Sequence, residues 1–500
     1  MSLFRFICSF FLCILCSNIV VAQTDFIIKS DLQEKGKTHK THTLLNYDST
    51  GFYALRFDKE FSYAELEHYL PDLKLEERFV VTDKQRQYIG VVNIASELYL
   101  LYFKYKENKE LQIHEQVSLY AKKLDSVTYA LQPDSIELIK PFKMTSKYYR
   151  GNFAVSPDRS KILVYDYEED GDIADVNGLT NEITVRVFDA QLNHLWTRTV
   201  NLSPTGSAKR VVSIKKLRVS NEGQVAILTD VFKGLRSYSL KQTTADPTLF
   251  FIGKKATDYS LFKPNLGDYY FNELNFTFDS NGDILWFGFF SRFKYYQQAG
   301  AFFIKINKEK TKVLSKKIHH FSREQIAELL NRKKVGKNAE GRSYRLTHWR
   351  LTPQGGIVLS AEQQPAGNYN FKSNDILAIR FSPEGEIDWF KHFYKHADEA
   401  LRLKVFLSHY LFTQGEDTYL LYNQGLYADG KAKAIKIEAD GEHQIRTFYT
   451  YQKQQELFCP LLSFRLKSSE VFLCLQDRYF STYRFALLDF EQLFATNKQD

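Results

Sequence analysis

The sequence predicts an all-β fold, a β-propeller of four-stranded antiparallel blades, and three observations predict it. Residues 374–389 (NDILAIRFSPEGEIDW) read as an alternating strand, a tight Pro-Glu-Gly turn and the start of a second strand. Variants of that hairpin return along the chain, two to a unit, with a unit about every 60 residues. The composition suits strands, with 41 Phe and 31 Tyr against 2 Met, and with 11 Pro in all it shows no Pro-rich or Gly/Ser-rich linker between separate domains. A four-stranded sheet that cannot bury both faces alone does so by stacking on its neighbours around an axis.

Taken in order, residues 1–22 have the form of a secretory signal. Arg5 supplies the positive start, 6–16 is an apolar run, and Val20 and Ala22 fit the small-residue cleavage positions, leaving Gln23 first in the mature chain. The apolar run is shorter than the ~20 residues a membrane-spanning helix needs, so no span is expected once the signal is removed. Residues 23–43 are polar and Lys-rich, either a lead-in or a strand that closes the ring. The propeller domain is expected over 44–500.

Each unit carries two punctuation marks. The first is a turn between strands: DSTG at 48–51, ASE at 95–97, SPD at 156–158, SNEG at 220–223, DSNG at 279–282, TPQG at 352–355, TQG at 413–415 and KSSE at 467–470. Gly, Asn, Asp and Pro belong there because such turns need a positive or a preset φ. The second mark follows in the clearer units: DAQL at 189–192, NKEK at 307–310, SPEG at 382–385 and EADG at 438–441. Trp196, Trp286 and Trp389 each stand seven residues after the opening Asp or Ser of a turn, where an aromatic caps the core. Eight first marks give eight blades, or seven if 44–60 completes the last one. One segment departs from the pattern. Residues 321–331 read as a short inserted helix with Ser322 as N-cap, Gln325 as its capping-box partner, and Ile326, Leu329 and Leu330 on one face.

Parity of the connections then predicts a working end. In a four-stranded antiparallel blade the first and third turns share one face, and the middle turn and the blade-to-blade link share the other. The long segments 166–181, 233–247, 290–300, 363–373 and the helical insertion 319–342 are all middle turns or links. They would crowd a single face, and loops on a rigid scaffold are where contacts are usually made.

The chemistry in the sequence is sparse. A net charge of +8 is spread along the chain without a basic block, which gives nucleic-acid binding no support. The 166–181 loop carries six carboxylates and an Asp-Gly-Asp core, but Ala174 stands where a calcium loop needs its third ligand. Segment 290–300 (FSRFKYYQQAG) interleaves aromatics with Arg292 and Lys294, which could stack on sugar rings or hold an anion. His392 and His396, near Asp398 and Glu399, have the i, i+4 spacing of a helical metal site, yet 389–393 reads as a strand, on which they do not converge in that way. His319 and His320 would diverge on a strand. Of five cysteines only Cys459 and Cys474 outlast the signal. An exported compartment permits a disulfide between them, whereas a turn at 468–469 would put Cys474 opposite Ser463 and leave two buried thiols. No nucleophile elbow, phosphate loop or zinc motif occurs, so no catalytic residue, cofactor or metal is assigned.

The segment LTPQGGIVLSAE at 351–362, the hairpin NDILAIRFSPEGEIDWFKHF and YLLYN at 419–423 together resemble a group of exported, propeller-like proteins of Bacteroidetes-type bacteria. The match covers mainly residues 347–423. The resemblance implies export and the repeat fold, and carries no site. The expectation is an exported, non-enzymatic binding or scaffolding propeller in the periplasm, at the cell surface or secreted, with a protein or glycan partner on the long-loop face. The alternative is a carbohydrate-active or other hydrolytic propeller that uses carboxylates in the central channel.

Overall fold

The structure is a computed structural model that describes most of residues 27–495. Residues 1–26, which include the segment expected to be a signal, lie outside the description, as do 109–112, 126–130, 144–148, 169–178, 203–210, 233–244, 364–369, 401–405, several shorter stretches and 496–500. The described chain forms eight antiparallel sheets in sequence order, a β-propeller of eight blades. Blades 1 to 7 span 40–82, 86–143, 149–201, 211–262, 270–320, 344–400 and 409–450, and blade 8 spans 457–489 plus two short N-terminal strands, Ile27–Lys29 and Gln33–Glu34. The count is eight because Lys40–Asp48 and Gly51–Phe57 begin a sheet of their own.

All eight first marks fall between the first and second strands of a blade, and all four second marks between the third and fourth. Their chemistry is as expected. In the 279–282 turn the Asp279 carboxylate accepts from the N–H groups of Asn281 and Asp283, each at 2.9 Å. Gly385 holds φ +87°, and a Cβ there would lie 2.3 Å from the Phe303 ring of the neighbouring blade. The turn therefore serves packing between blades as well as reversal.

Burial tracks position within each blade. The second strands Ile284–Ser291 and Ile357–Gln363 are buried along their whole length. Fourth strands such as Val313–His320 alternate toward solvent, and the first strand Tyr344–Leu351 is mostly half-buried because it borders the axis. First strands of successive blades approach one another, which places them innermost. The core is a series of slabs between neighbouring blades, as in the slab of Leu285, Phe287 and Phe303 against Leu359, Leu377 and Phe381. Trp196, Trp286 and Trp389 are all buried, as their place beside a turn predicted.

The lead-in provides the closing strand. Ile27–Lys29 pairs antiparallel with Thr482–Asp489, Ile27 opposite Leu488, so the last blade is completed by the first described residues. Phe52 and Tyr69 of blade 1 pack on Phe472 and Phe485 of blade 8. Behind them the buried Glu67 carboxylate accepts from Tyr483 at 2.6 Å, Arg56 at 2.8 Å and Tyr69 at 2.9 Å. A buried carboxylate with three donors has its desolvation offset.

The inserted helix runs Arg323–Leu329, with Ser322 and Gln325 forming the reciprocal capping box. It buries Ile326 and Leu329, and the Phe321 that precedes it packs edge-on against Phe390 of blade 6. A second helix, Phe490–Ala495, was not anticipated. The cysteine register also differs from expectation. The first strand of blade 8 is split by a 3-10 turn at Pro460–Leu462, which absorbs residues without advancing the ladder. Cys459 N–H therefore donates to Cys474 O at 2.8 Å, so Cys474 lies opposite Cys459 and not Ser463. Both thiols are free and buried.

Candidate functional site

All first strands run from the long-loop face toward the short-turn face, so residues early in a first strand stand at the long-loop end of the channel. The strand order puts the described ends of the middle turns and links on that face, while 169–178, 233–244, 293–296 and 364–369 of the long segments lie outside the described residues. One of them reaches the axis. Leu179–Thr180, from the middle connection of blade 3, pairs with Val212 and Ser213 on the open inner edge of blade 4.

Beside that edge, three blades bring charge together. Lys216 comes from the first strand of blade 4, Val211–Val219, Glu273 from that of blade 5, Tyr270–Phe278, and Arg345 from that of blade 6, Tyr344–Leu351. Each strand is bulged here, with register shifts between Ile214 and Lys216, Phe271 and Glu273, and Leu346 and His348. A bulge re-aims the side chains around it and breaks strict alternation; the bulges of blades 4 and 6 lie at matching levels, and that of blade 5 lies nearer the long-loop end.

Lys216 and Arg345 are exposed, and among the described residues neither makes an ion pair or hydrogen bond. Burial lowers the Lys216 ammonium, and Arg218 lowers it further, with Glu273 acting the other way. A lysine that is accessible yet crowded by protein is what a channel lining presents. Glu273 Oε2 accepts from Leu346 N–H at 3.3 Å. Burial pushes its carboxyl up to about 7, against the pull of Arg345, Lys216 and Lys215. Lys215, the bulged residue, turns away to Asp230 at 3.0 Å. Deeper in, Arg218 lies over the Trp349 ring at 4.9 Å and donates to Phe276 O at 2.7 Å, which links blades 4, 5 and 6. Burial pushes that guanidinium down to about 10.

A second cluster joins blades 6 and 7. Ser360 Oγ lies 2.6 Å from His409 Nε2, and His409 Nδ1 lies 2.6 Å from Glu362 Oε1. Lys395 Nζ donates to the same Glu362 oxygen at 3.2 Å and to Ser408 O at 3.1 Å. The order serine, histidine, carboxylate is that of a nucleophilic triad. The setting is not, because Ser360, His409 and Lys395 are 0% exposed and Ser360 is in the middle of a buried strand. No reactant can reach it. Burial tends to raise the Glu362 carboxyl, but Lys395 and His409 outweigh it and hold the group at about 2. Burial, and then His409, keep His348 neutral, its imidazole pushed down to about 3. This is a polar lock between blades.

The residues singled out in the sequence are dispersed. His392 sits on the strand Ile387–Ala400, 3.0 Å from the Tyr344 hydroxyl and 3.4 Å from Asp375 Oδ2, and the His396 side chain lies outside the described ones. His319 reaches Gly385 O at 2.7 Å, and His320 turns instead to Tyr269 at 3.2 Å and Arg292 at 2.9 Å, so the pair diverges. Asp166 belongs to the strand Lys161–Glu168 and pairs with Arg186, while the remaining carboxylates of that loop, apart from Glu168, lie outside the described residues. Phe290 is fully buried and is no ligand platform. Among the described residues no three His, Cys, Asp or Glu gather as a metal site. Neither charged cluster was found from the sequence. The signal was present in a paired Lys at 215–216 in an otherwise apolar strand, and in Glu362 following IVLSA.

No protein-family model matches the chain, and no curated protein matches it. Among solved structures the chain is similar to the polysaccharide lyase Uly1, at 11% identity over 80% of this chain and 89% of that one, with a TM-score of 0.40. It is similar to an uncharacterized protein from Listeria monocytogenes EGD-e at 10% identity over 79% and 93%, TM-score 0.39. A prolyl endopeptidase is similar at 9% identity over 88% of this chain and 55% of its own length, TM-score 0.38. None of these likenesses bears on activity.

Proposed function

We propose that the protein is an exported, non-enzymatic binding propeller that engages a protein or glycan partner through the long-loop end of its channel. The observation that carries this reading is the distribution of connections, which sends the inserted helix and the strand Leu179–Thr180 to one end. Among the described residues the opposite end has short turns and the C-terminal helix Phe490–Ala495, which packs beside the first turns of blades 7 and 8. The leader at 1–22 supports export, and a mature N-terminus at Gln23, read by N-terminal sequencing, is the expected result.

The hydrolytic alternative needs two carboxylates ~5–9 Å apart across the channel. The acidic residues of the innermost strands are Asp48 and Glu273. They belong to blades 1 and 5, on opposite sides of the ring. Asp48 ends its strand at the short-turn face and Glu273 begins near the long-loop face, a separation along the axis of roughly 15 Å. That argues for binding over acid–base chemistry.

Site-specific blocking tests the reading. Because Cys459 and Cys474 are buried, Glu324→Cys on the helix and Ser280→Cys in a short turn can be labelled singly with maleimide–polyethylene glycol. Binding is then measured on glycan arrays and on solubilised envelope proteins. The label at 324 is expected to abolish capture and the label at 280 to leave it intact. The reverse pattern, or turnover of a captured glycan that Glu273→Gln removes, overturns the reading.

A further inference from the structure

We propose that the channel binds an oxyanion group of the ligand, a carboxylate, sulfate or phosphate, between Lys216, near the middle of its strand in blade 4, and Arg345, at the long-loop end of blade 6. The inference rests on that end being the binding end, and it names the chemistry taken there. Two cations face one space from blades on either side of blade 5, close enough to act on each other electrostatically. Among the described residues neither has a direct partner, and both are accessible. Like charges brought together in a partly desolvated channel repel, and a counter-ion relieves that repulsion.

The protein supplies only part of one. Glu273 is the single carboxyl acting on both cations, and its Oε2 is engaged by the Leu346 amide. The other cations nearby are committed: Lys215 to Asp230, Arg218 to Phe276 O and the Trp349 face, and Arg350 to Trp349 O at 2.9 Å. Lys216 and Arg345 are the two left with donors to give. A guanidinium fork opposite an ammonium suits a planar or tetrahedral oxyanion. Each of the three strands has a bulge beside the cluster, at Lys215, Asn272 and Thr347, and bulges are common next to sites.

Glu273 then regulates the site. Ionised, it competes with the incoming anion for both cations. Protonated, it releases them and can donate. The groups that bear on it are Arg345 and the Leu346 amide from blade 6, and Lys215 and Lys216 from blade 4.

The test is isothermal titration at low ionic strength with sulfate, phosphate and glucuronate as separate probes. Sulfate is run at about pH 6 and about pH 8, where its own charge is constant. Saturable binding is expected, about five- to tenfold tighter at the lower pH. Lys216→Gln with Arg345→Gln should weaken it at least about tenfold, and Arg345→Lys should retain most of it. Glu273→Gln should keep the low-pH affinity at both pH values. Which probe binds tightest separates an acidic sugar from a sulfate or phosphate ester. Absence of saturable binding for all three probes overturns the proposal. So does binding unchanged in the double variant, or the same pH dependence in Glu273→Gln. Should the double variant not fold, the comparison of Arg345→Gln with Arg345→Lys decides. Anion binding that fails while the label at 324 still blocks capture removes this site and leaves the proposed function standing. Anion binding that holds while only the label at 280 blocks capture does the opposite.

Discussion

Glu362 and Glu273 are set in neighbouring parts of the ring, each near the charged groups of two blades, and their carboxyls are displaced in opposite directions. Glu362 is sealed between blades 6 and 7 with Lys395 and His409 in direct contact, and is held at about 2. Glu273 borders the channel with Arg345 and Lys216 near but not touching, and is raised to about 7. Burial opposes ionisation in both. What differs is contact, because a charge-assisted hydrogen bond at about 3 Å outweighs desolvation and a cation held farther off does not. The first region is chemically complete and serves the fold. The second is left incomplete, and an external group can complete it.

The largest expected effect separates the two at once. Glu362→Gln leaves Lys395 buried without its partner and should cost about 3–5 kcal/mol in urea unfolding. Adding Lys395→Met should recover most of it, since the pair is then removed whole. A loss below about 1 kcal/mol in the single variant would mean that the lock contributes nothing.

The next effect is the opposite response to pH. Glu362 is depressed below its unfolded value, so its contribution is present above about 4.5 and is lost as the pH falls through about 2. Glu273 is raised, so its contribution is full below about 4.5 and is lost as the pH rises through about 7. Between about pH 5 and about pH 8 the wild type should lose about 1–2 kcal/mol relative to Glu273→Gln, an allowance reduced for solvent access. Equal pH slopes for the two proteins would place Glu273 outside the desolvated channel.

The smallest effect sharpens the electrostatics. Arg345 is the strongest influence holding Glu273 down, so Arg345→Gln should raise the Glu273 carboxyl by about half a unit to one unit, and Lys216→Gln by less. Carboxyl carbon shifts followed through a pH titration read this directly. No change in the Arg345 variant would remove Arg345 from the site.

The same contrast explains how much was legible in the sequence. Blade punctuation was legible because a turn such as DSNG at 279–282 is made by its own residues, and so was the capping box of Ser322 and Gln325. The short helix Phe490–Ala495 has no such local mark, and its Phe490 and Leu493 are buried as in a strand. The opposition of Cys459 and Cys474 depends on a 3-10 turn that absorbs residues, which counting along a strand cannot reveal. The channel cluster was hidden for a related reason. Lys216, Glu273 and Arg345 come from three blades, and each is set by a bulge that alters which neighbours face each other. Alternation fixes a strand's faces only where the ladder is regular. The strand reading of 389–393, which set aside a metal site at His392 and His396, agrees with the structure, where His392 faces Tyr344 and Asp375.

The union of Ile27–Lys29 with Thr482–Asp489 has a further consequence for how the chain acquires its shape. The earliest described residues to be synthesised pair with some of the last, so the circle stays open until synthesis is almost complete. Until then the Phe472 and Phe485 side chains lack the Phe52 and Tyr69 rings that cover them. The growing chain is therefore an unclosed ribbon, and final stability should appear in one late step when the two ends meet.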